Sequence, residues 1–450
     1  MIDFPKITLN SRYIPRIARG EKKYLLIDTV GLTEYSLTYP LFFILNQIKC
    51  NPISLKNLQI AYAEKKLEYQ FDDLIEIIKE DQIPNLLVES STSSSESKNF
   101  YRNKNQITSL AEYSPERVDF FITKYCNLKC KHCFESSSFE LRKPAPIDLD
   151  LAKKVFEQMD YMSVSQLKIT GGEVLTIPNF MEILELSLKF RFQVMILTNG
   201  ILLNDKLIEK LRAKNVLIGL SLDGVDKETH EGLRGRGSFK RLDINLKKLK
   251  EAGIKYSLTT SVNSMNYKQI EEITEKAFNT YGAANITFSY VRSMGRAAEN
   301  KFLFIDPGKE DEIRSKVENL GRVFGNDKVI YSNDTNLTKE ESSSNTISCA
   351  AGTSIMAMDS DFNVYPCIYG IGIRDLYIGS LKNETLEDIW YSDKFDIYRG
   401  KLKLENLPEC YSCTYNKKCC LRNCRIKPVF DGMSFYDPVS YCFKNQIINS

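Results

Sequence analysis

Three cysteines stand close together in the chain, Cys126, Cys130 and Cys133, with the spacing C-x3-C-x2-C directly after the apolar run 118–122. Three thiolates can hold a cubane iron–sulfur cluster and leave one iron without a protein ligand. Structural zinc needs four ligands. The only nearby candidate for a fourth, His132, lies between two of the cysteines, where joint ligation is awkward. The spacing therefore favours a cluster with an open iron, at which chemistry is possible.

Eight more of the twelve cysteines lie in the last quarter of the chain. The pair Cys410-x2-Cys413, followed by a Cys-Cys-x3-Cys run, is also the pattern of a zinc ribbon. Both a zinc site and iron–sulfur ligation stay open for this region on spacing alone. The eight cysteines are Cys349, Cys367, Cys410, Cys413, Cys419, Cys420, Cys424 and Cys442.

Composition excludes several classes of function. A net charge of +3 over 450 residues makes no case for nucleic acid as the partner. The first residues do not form a signal peptide, and the apolar run 41–45 is too short to span a bilayer. We therefore expect a cytoplasmic protein, in which clustered cysteines indicate metal or redox chemistry before disulfides. Only two histidines are present, which argues against Ser-His-Asp hydrolysis.

Between residues 117 and 291 the pattern predicts strands that alternate with helices. The strands are nearly continuous apolar runs, as in a parallel sheet covered on both faces. We predict an α/β fold with a partial (β/α)6 barrel of the TIM type, whose ligand sites form at the carboxyl ends of the strands. The predicted strands are 117–123, 165–170, 192–198, 216–222, 254–262 and 285–291, and the predicted helices are 148–160, 178–190, 204–214, 239–252 and 267–281.

Small polar residues follow four of these strands. The cysteine loop follows the first strand, and Gly171-Gly172-Glu173 follows the second. Two glycines let a ligand approach the backbone, and a carboxylate can bind an ammonium group. Asn199 follows the third strand, and Ser221 and Asp223 follow the fourth. Each could be a simple turn, but four successive polar strand ends indicate a shared pocket.

Residues 1–90 are predicted to form a small α/β unit with a strand at 23–29 and helices at 39–48, 54–63 and 71–81. A strand with three helices suggests a winged helix. The unit has 11 Lys and Arg against 12 Asp and Glu, so it lacks the basic footprint of a DNA-binding module. Polar stretches at 90–106 and 332–346 mark the expected domain boundaries.

The motif Cys-x3-Cys-x2-Cys-Phe, followed by Gly-Gly-Glu, resembles the radical S-adenosylmethionine (SAM) superfamily over about residues 113–300. The resemblance implies a 4Fe–4S cluster whose open iron is chelated by SAM, and a 5′-deoxyadenosyl radical that abstracts hydrogen from the substrate. It assigns the SAM amino group to Glu173 with Gly171 and Gly172, and the SAM carboxylate to Arg234. The further SAM contacts that it implies are Phe134, Asn199, Ser221 and Asp223.

The C-terminal cysteines resemble a SPASM domain, which carries two auxiliary 4Fe–4S clusters. The resemblance implies Cys349, Cys367 and Cys424 for the first cluster, and Cys410, Cys413 and Cys442 for the second. Either Cys419 or Cys420 completes the second set, and the choice is open. The chain departs from the family pattern at Phe362, where a glycine is usual. The first cluster lacks a clear fourth ligand, so Cys419 or Cys420 serves it, or one iron is free to bind a substrate thiolate.

The N-terminal unit is similar to the winged-helix domain by which maturases of ribosomal peptides bind a leader peptide as an extra strand. The whole chain resembles radical SAM/SPASM peptide maturases, in particular sactipeptide and ranthipeptide synthases, which form thioethers. The implied domains are leader recognition at 1–90, a linker at 91–112, the radical SAM core at 113–300, a connector at 301–345 and the SPASM domain at 346–450.

The implied partners are a precursor peptide and an electron donor such as flavodoxin or ferredoxin, without nucleic acid or membrane. Alternative functions are a maturase that forms carbon–carbon or cyclophane links and a sulfatase-maturing enzyme. A zinc-binding adaptor without enzymatic activity is the alternative from another class.

Overall fold

The computed structural model of the chain describes residues 6–9, 13–17, 24–28, 33–48, 53–65, 67, 69–79, 86–90, 114–212, 214–332, 346–413 and 424–439. The predicted linker at 91–112, most of the polar stretch 332–346, and Cys419, Cys420 and Cys442 lie outside the described residues. Within the described part of the chain, every helix is too short or too polar to cross a lipid bilayer.

The N-terminal part contains two small antiparallel sheets and three helices. One sheet has the order β2-β3-β4 and the other the order β5-β1-β6. The three predicted helices are present, and their apolar faces bury Ile44, Leu58 and Leu74 in one core. The winged-helix assignment stays a prediction. The elements are β1 (Lys6–Leu9), β2 (Tyr13–Ile17), β3 (Tyr24–Asp28), β4 (Thr33–Leu37), α1 (Tyr39–Ile48), β5 (Ile53–Ser54), α2 (Leu55–Ala63), α3 (Phe71–Lys79) and β6 (Leu87–Ser90).

A parallel sheet forms the centre of the molecule, and all six predicted strands belong to it in chain order. Buried apolar residues of the strands, for example Val118, Leu167 and Val194, pack with apolar residues of the helices in one large core. A mixed α/β fold with a central, largely parallel sheet is therefore confirmed. The six strands are β7 (Arg117–Phe121), β8 (Gln166–Thr170), β9 (Gln193–Thr198), β10 (Val216–Ser221), β11 (Tyr256–Val262) and β12 (Asn285–Tyr290).

The helices between these strands follow the prediction with one addition. A helix at residues 227–234 was not predicted, because its sequence is short and polar. The last predicted helix is broken into a short α-helix and a π-helical turn at Lys276–Thr280. The helices between the strands are α4 (Leu149–Tyr161), α5 (Phe180–Ser187), α6 (Asp205–Arg212), α7 (Lys227–Arg234), α8 (Ser238–Glu251) and α9 (Ile270–Glu275). Two further helices, α10 (Arg296–Glu299) and α11 (Glu310–Phe324), follow β12.

The sheet extends beyond the six predicted strands at both edges. A seventh parallel strand, β13 (Val329–Ser332), pairs with β12. At the other edge β15 (Ile355–Asp359) pairs in parallel with β7, so the C-terminal region joins the sheet directly. The remaining elements are β14 (Thr346–Ser348), β16 (Asn363–Tyr365), β17 (Gly379–Ser380), α12 (Leu386–Trp390), β18 (Arg399–Lys403), α13 (Pro408–Tyr411) and α14 (Ile426–Phe430).

Phe362 occupies a tight turn between β15 and β16 with a φ of 60°. This left-handed conformation suits glycine, the residue usual in the family, and strains a bulky side chain. The Phe362 ring is fully buried and lies 5.3 Å from the ring of Phe120 in β7. The packing of two aromatic rings therefore offsets the backbone strain, and it fixes the C-terminal region against the central sheet.

Candidate functional site

The three cysteines lie on one loop that leaves the carboxyl end of β7. Cys126 and Cys130 are buried and Cys133 is half-buried. The backbone N–H of Cys126 donates a hydrogen bond to the carbonyl of Ser138 at 3.2 Å, which closes the loop. Burial raises the pKa of Cys126 to about 12 and that of Cys130 to about 11. Without a cation the Cys126 and Cys130 thiols are therefore protonated, and a bound metal would stabilise their thiolates.

The turn after β8 packs backbone against backbone on this loop. Gly172 N–H donates to the Thr123 carbonyl at 2.7 Å, and Glu173 N–H donates to the Tyr125 carbonyl at 2.9 Å. A Cβ atom at Gly172 would lie 2.2 Å from the Tyr125 oxygen, and one at Gly171 would lie 2.6 Å from the Thr123 oxygen. The two glycines are therefore required because the backbone of the cysteine loop packs directly against them. The sequence analysis had predicted a different reason, namely that a ligand approaches this backbone.

A second turn, at Gly295 and Arg296, holds the cysteine loop from the other side. A Cβ at Gly295 would lie 2.6 Å from the Cys133 carbonyl oxygen. Arg296 donates from its backbone N–H to that same carbonyl at 3.0 Å. Its guanidinium donates to the carbonyls of Cys130 and Ser137, the first at 2.9 Å. Arg296 thus fixes the loop through backbone oxygens and leaves the thiols available.

The carboxylate of Glu173 is completely buried and binds protein groups. It accepts hydrogen bonds from Thr198 Oγ1 at 2.6 Å, Asn199 N at 2.8 Å and Leu175 N at 3.1 Å. Burial raises the pKa of this carboxyl, and the three donors oppose the rise. The carboxylate ties the end of β8 to the end of β9 and lies behind the cavity wall. Its contact with the SAM amino group stays a prediction.

Asn199 connects that buried carboxylate to the cysteine loop. Its side-chain N–H donates to Asn127 Oδ1 at 2.8 Å and lies 3.8 Å from the Cys126 sulfur. Its side-chain oxygen accepts from the N–H of Ile201 at 3.0 Å. Asn199 is therefore placed to orient the first cysteine and to line the adjacent cavity.

Asp223 and Arg234 form a buried ion pair at the carboxyl end of β10. The distance between Asp223 Oδ2 and Arg234 Nε is 2.6 Å, and the other oxygen accepts from Ser261 N at 2.8 Å. Burial raises the Asp223 pKa, but the Arg234 cation together with the two neighbouring histidines and the Ser261 N–H outweighs burial, so the pKa falls below its usual value. Arg234 is therefore a permanently charged group in the wall of the site, and the helix α7 that carries it is the element the sequence did not predict.

His132 lies beside the same pair, with Nε2 3.4 Å from Asp223 Oδ2. Burial lowers its pKa to about 4, so the ring is neutral at physiological pH. Its other nitrogen, Nδ1, is buried without a hydrogen-bond partner among the described residues. An unpartnered buried nitrogen is costly, which indicates that a bound group belongs next to it.

A cavity of about 300 Å³ unites these groups. All three cysteines line it, with Arg234, His132 and small polar residues from the ends of five neighbouring strands. Of the predicted SAM contacts it contains Phe134, Gly171, Gly172, Asn199, Ser221 and Arg234, while Glu173 and Asp223 lie behind its wall. Residues that the sequence analysis missed also line it: Glu135, Thr170, Ser261, Ser289, Tyr290, Arg292, Arg296 and Tyr369.

Some of the missed residues carried a usable signal. Ser261 and Ser289 stand at the ends of β11 and β12, where the rule applied to the first four strands would have found them. Tyr369 carried none, because it comes from the C-terminal region. Its ring lies 5.0 Å from the Phe134 ring, and the Arg292 guanidinium stacks on it at 4.9 Å.

The donor set fits an iron–sulfur cluster with a polar ligand. In the described part of the chain, no three His, Cys, Asp or Glu side chains close around one point as the ligands of a single metal ion do. A 4Fe–4S cluster places a separate iron before each thiolate, so its ligands surround a wider volume. Three thiols, the guanidinium of Arg234 and the unpartnered imidazole nitrogen of His132 around one cavity match a cluster whose free iron binds a charged, polar molecule.

The C-terminal cysteines form two groups. Burial raises the pKa of Cys367 well above its usual value, and the nearby Cys424 and Cys349 thiols add to this. These are the three cysteines implied for the first auxiliary cluster. Cys410 instead packs in a small apolar cluster with Leu402, Leu404 and Leu407, and Cys413 follows one turn later. The described cysteines Cys349, Cys367 and Cys424 thus lie near one another, and ligation by either predicted set stays a prediction.

Comparisons with known proteins define the class of this fold and site. Residues 120–277 match the radical SAM superfamily, and residues 349–414 match the SPASM iron–sulfur cluster-binding domain. The chain therefore carries a radical SAM domain and a SPASM domain. Its cofactors are accordingly 4Fe–4S clusters and SAM.

Three curated proteins are similar in sequence to this chain. The AdoMet-dependent heme synthase of Methanosarcina barkeri is 26% identical over 347 residues, which cover 73% of this chain and 96% of that protein. The sporulation killing factor maturation protein SkfB of Bacillus subtilis is 30% identical over 285 residues, 62% of this chain and 66% of SkfB. The subtilosin biosynthesis protein AlbA of Bacillus subtilis is 32% identical over 205 residues, 45% of this chain and 44% of AlbA.

Among solved structures, SuiB of Streptococcus suis bound to its precursor peptide SuiA has the same fold along almost the whole chain. The TM-score is 0.68 at 16% identity, with 97% of this chain and 100% of SuiB covered. SuiB bound to SAM gives a TM-score of 0.66. Because this likeness spans nearly the full length, it includes the N-terminal and C-terminal regions as well as the core.

Proposed function

We propose that the protein is a radical SAM peptide maturase that joins a cysteine sulfur to a carbon atom in a ribosomally synthesised precursor peptide. Two of its relatives, SkfB and AlbA, are named for peptide maturation and for the biosynthesis of a bacteriocin, and SuiB binds a precursor peptide. The heme synthase relative shows that the scaffold also serves other substrates, so the proposal also needs support from the site itself.

The observation that carries the proposal is that the C-terminal region contributes Tyr369 to the wall of the core cavity. Tyr369 lies two residues after Cys367, and its ring packs on the Phe134 ring, next to Cys133. The cavity that the three-cysteine loop lines is therefore connected to the first auxiliary set through Tyr369. A substrate in this cavity would meet the hydrogen-abstracting group and would lie near an electron acceptor.

Particular residues of the chain would bind the cluster and SAM. Cys126, Cys130 and Cys133 would hold the cluster, and Arg234 would bind the SAM carboxylate as a fixed cation. When bound, the reduced cluster and SAM supply a carbon-centred radical that removes a hydrogen atom from the substrate. The cavity walls exclude water, which protects such reactive chemistry.

The proposed reaction balances as the loss of two hydrogens from the peptide. One leaves a carbon atom as a hydrogen atom. The other leaves the cysteine thiol as a proton, and one electron leaves as the sulfur–carbon bond forms. The residues Cys349, Cys367 and Cys424 would hold the group that takes the electron. A leader peptide bound at the N-terminal unit would keep the core peptide at the cavity.

The test uses a short cysteine-containing peptide encoded beside this protein, incubated without oxygen with the enzyme, SAM and dithionite. We expect mass spectrometry to show loss of two hydrogens and one fewer thiol open to iodoacetamide. Cys130→Ala is the control and should leave the peptide unchanged.

Other products would identify the alternatives. Loss of two hydrogens with every thiol still reactive would replace the thioether by a carbon–carbon link. Loss of the cysteine sulfur would indicate chemistry of the sulfatase-maturing kind. An unmodified peptide, with SAM still cleaved, would contradict peptide maturation on this substrate. Zinc without sulfide in oxygen-free protein would support the adaptor instead.

A further inference from the structure

The cysteine loop has two sides. The three cysteines face the cavity, whereas Lys129 and Lys131, which flank Cys130, are exposed to solvent. The loop that carries the proposed cluster ligands is therefore in contact with solvent on its outer side, where the neighbours of Cys130 in the chain are exposed. An electron donor that docks on this outer side would lie close to the cysteine loop.

Two neighbouring segments continue the outer side of the loop. Residues 139–143 are attached through the hydrogen bond from Cys126 N to Ser138 O and through an ion pair of 2.8 Å between Lys129 and Glu140. Residues 299–302 are attached through the hydrogen bond of 3.2 Å from Asn300 Nδ2 to the Lys131 carbonyl. The Lys131 ammonium also lies 5.6 Å from the Phe302 ring. We call residues 129–131, 139–143 and 299–302 the basic face.

The basic face has the composition of a protein-binding surface. It carries five cations, Lys129, Lys131, Arg142, Lys143 and Lys301, against two carboxylates, Glu140 and Glu299. This excess equals the net charge of +3 of the whole chain. Apolar side chains stand among the cations: Phe139 is 55% exposed, Phe302 54% and Leu141 40%. Exposed aromatic rings ringed by charge of one sign favour docking of a partner with the opposite charge.

We propose that the basic face docks an acidic one-electron carrier protein, which reduces the cluster held by Cys126, Cys130 and Cys133. The reduced carrier loses one electron and the cluster gains it, and neither a proton nor a covalent bond is transferred. A contact that must form and separate in every turnover suits a small surface steered by charge. The precursor peptide is a poorer occupant, since the cavity that it must enter lies on the inner side of the loop.

The test compares two routes of reduction. The variant Lys143→Glu/Lys301→Glu reverses one exposed charge on each side of the loop. The control Lys210→Glu changes a lysine in the last turn of α6, which runs back toward the amino ends of the strands. Stopped-flow absorbance follows cluster reduction by an acidic flavodoxin in its hydroquinone form, and separately by dithionite. Iron and sulfide content verifies that each variant carries its clusters.

We expect the double variant to slow reduction by flavodoxin about tenfold at low ionic strength, since opposite charges steer such encounters. Reduction by dithionite and the behaviour of Lys210→Glu should match the wild type. Added salt should slow the wild type and remove the difference. Equal flavodoxin rates in wild type and double variant would overturn the proposal. A second result would also overturn the proposal: normal reduction by flavodoxin in the double variant, together with loss of dithionite-driven peptide modification. That result would show that the basic face binds the peptide. Failure of peptide maturation itself leaves these reduction rates unaffected, so the two proposals are tested separately.

Discussion

Asp223 and Arg234 form an ion pair with an Oδ2–Nε distance of 2.6 Å, and both side chains are at most 10% exposed. Asp223 lies two residues after the end of β10, and Arg234 is the last residue of the short helix α7. The pair therefore joins the segment after a core strand to a helix that carries a cation into the cavity wall. His132 also contacts Asp223, so this carboxylate organises two of the cavity's polar groups.

Asp223→Asn should destabilise the protein strongly, because it leaves the Arg234 cation buried without its partner. Breaking a buried pair in this way costs about 3–5 kcal/mol. Urea denaturation of the anaerobically purified protein measures the effect. Asp205→Asn is the matched control, since its pair with Lys248 is 2.6 Å long but the Asp205 side chain is 81% exposed. That change should cost less than about 1 kcal/mol. Equal losses in the two variants would refute the structural role of Asp223.

Gly172→Ala should displace the cysteine loop, because the new methyl group would meet the Tyr125 carbonyl oxygen at 2.2 Å. We expect less iron and sulfide to be bound after anaerobic reconstitution, with the fold retained by circular dichroism. The control is Gly308→Ala, where the nearest atom lies 3.4 Å away. A full complement of iron and sulfide in Gly172→Ala would show that the loop tolerates this shift.

Cys424→Ala should separate two functions of the enzyme. Cys424 lies with Cys367 and Cys349 and does not line the cavity that holds the three-cysteine loop. We therefore expect SAM cleavage to 5′-deoxyadenosine to continue while cross-linking of the peptide is lost. Chromatography of the nucleoside and mass spectrometry of the peptide measure both outcomes in one reaction. Normal cross-linking would contradict an essential role for an auxiliary cluster held by this cysteine.

His230 should make the folded protein sensitive to mild acid. Burial lowers its pKa to about 4, against about 6.5 when unfolded. The unfolded state therefore binds the proton more readily. The stability that neutral His230 contributes is complete above about pH 6.5 and is lost as the pH falls toward 4, by up to about 1.4 kcal/mol per pH unit. His230→Gln should have a shallower stability profile between these values. Identical profiles in the two proteins would contradict this assignment.

Much of the core could be predicted from the sequence because its signals are local. Apolar runs located the six strands, and the spacing of Cys126, Cys130 and Cys133 located the metal loop. The rule that parallel strands end at one edge then brought Asn199 and Ser221 into one pocket. These inferences needed only chain order and side-chain chemistry.

The features that the sequence did not reveal depend on contacts between distant parts of the chain. The addition of β15 beside β7 places Tyr369 in the cavity, and no local pattern announces such a pairing. The sequence shows that position 362 lacks the glycine usual in the family. It does not show that the Phe362 ring packs on the Phe120 ring, a contact that stabilises the strained backbone. Arg234 was implied as a SAM contact, but neither the helix α7 that carries it nor its ion pair with Asp223 has a local signal in this short, polar segment.

The central claim is that Cys126, Cys130 and Cys133 hold a cluster with one iron open to SAM. The most direct measurement is electron paramagnetic resonance of the reduced, oxygen-free protein with and without SAM. We predict that SAM changes the signal of one cluster in the wild type and in Cys424→Ala, and that Cys130→Ala lacks this SAM-sensitive signal. A spectrum that SAM leaves unchanged, or a SAM-sensitive signal that persists in Cys130→Ala, would contradict the account.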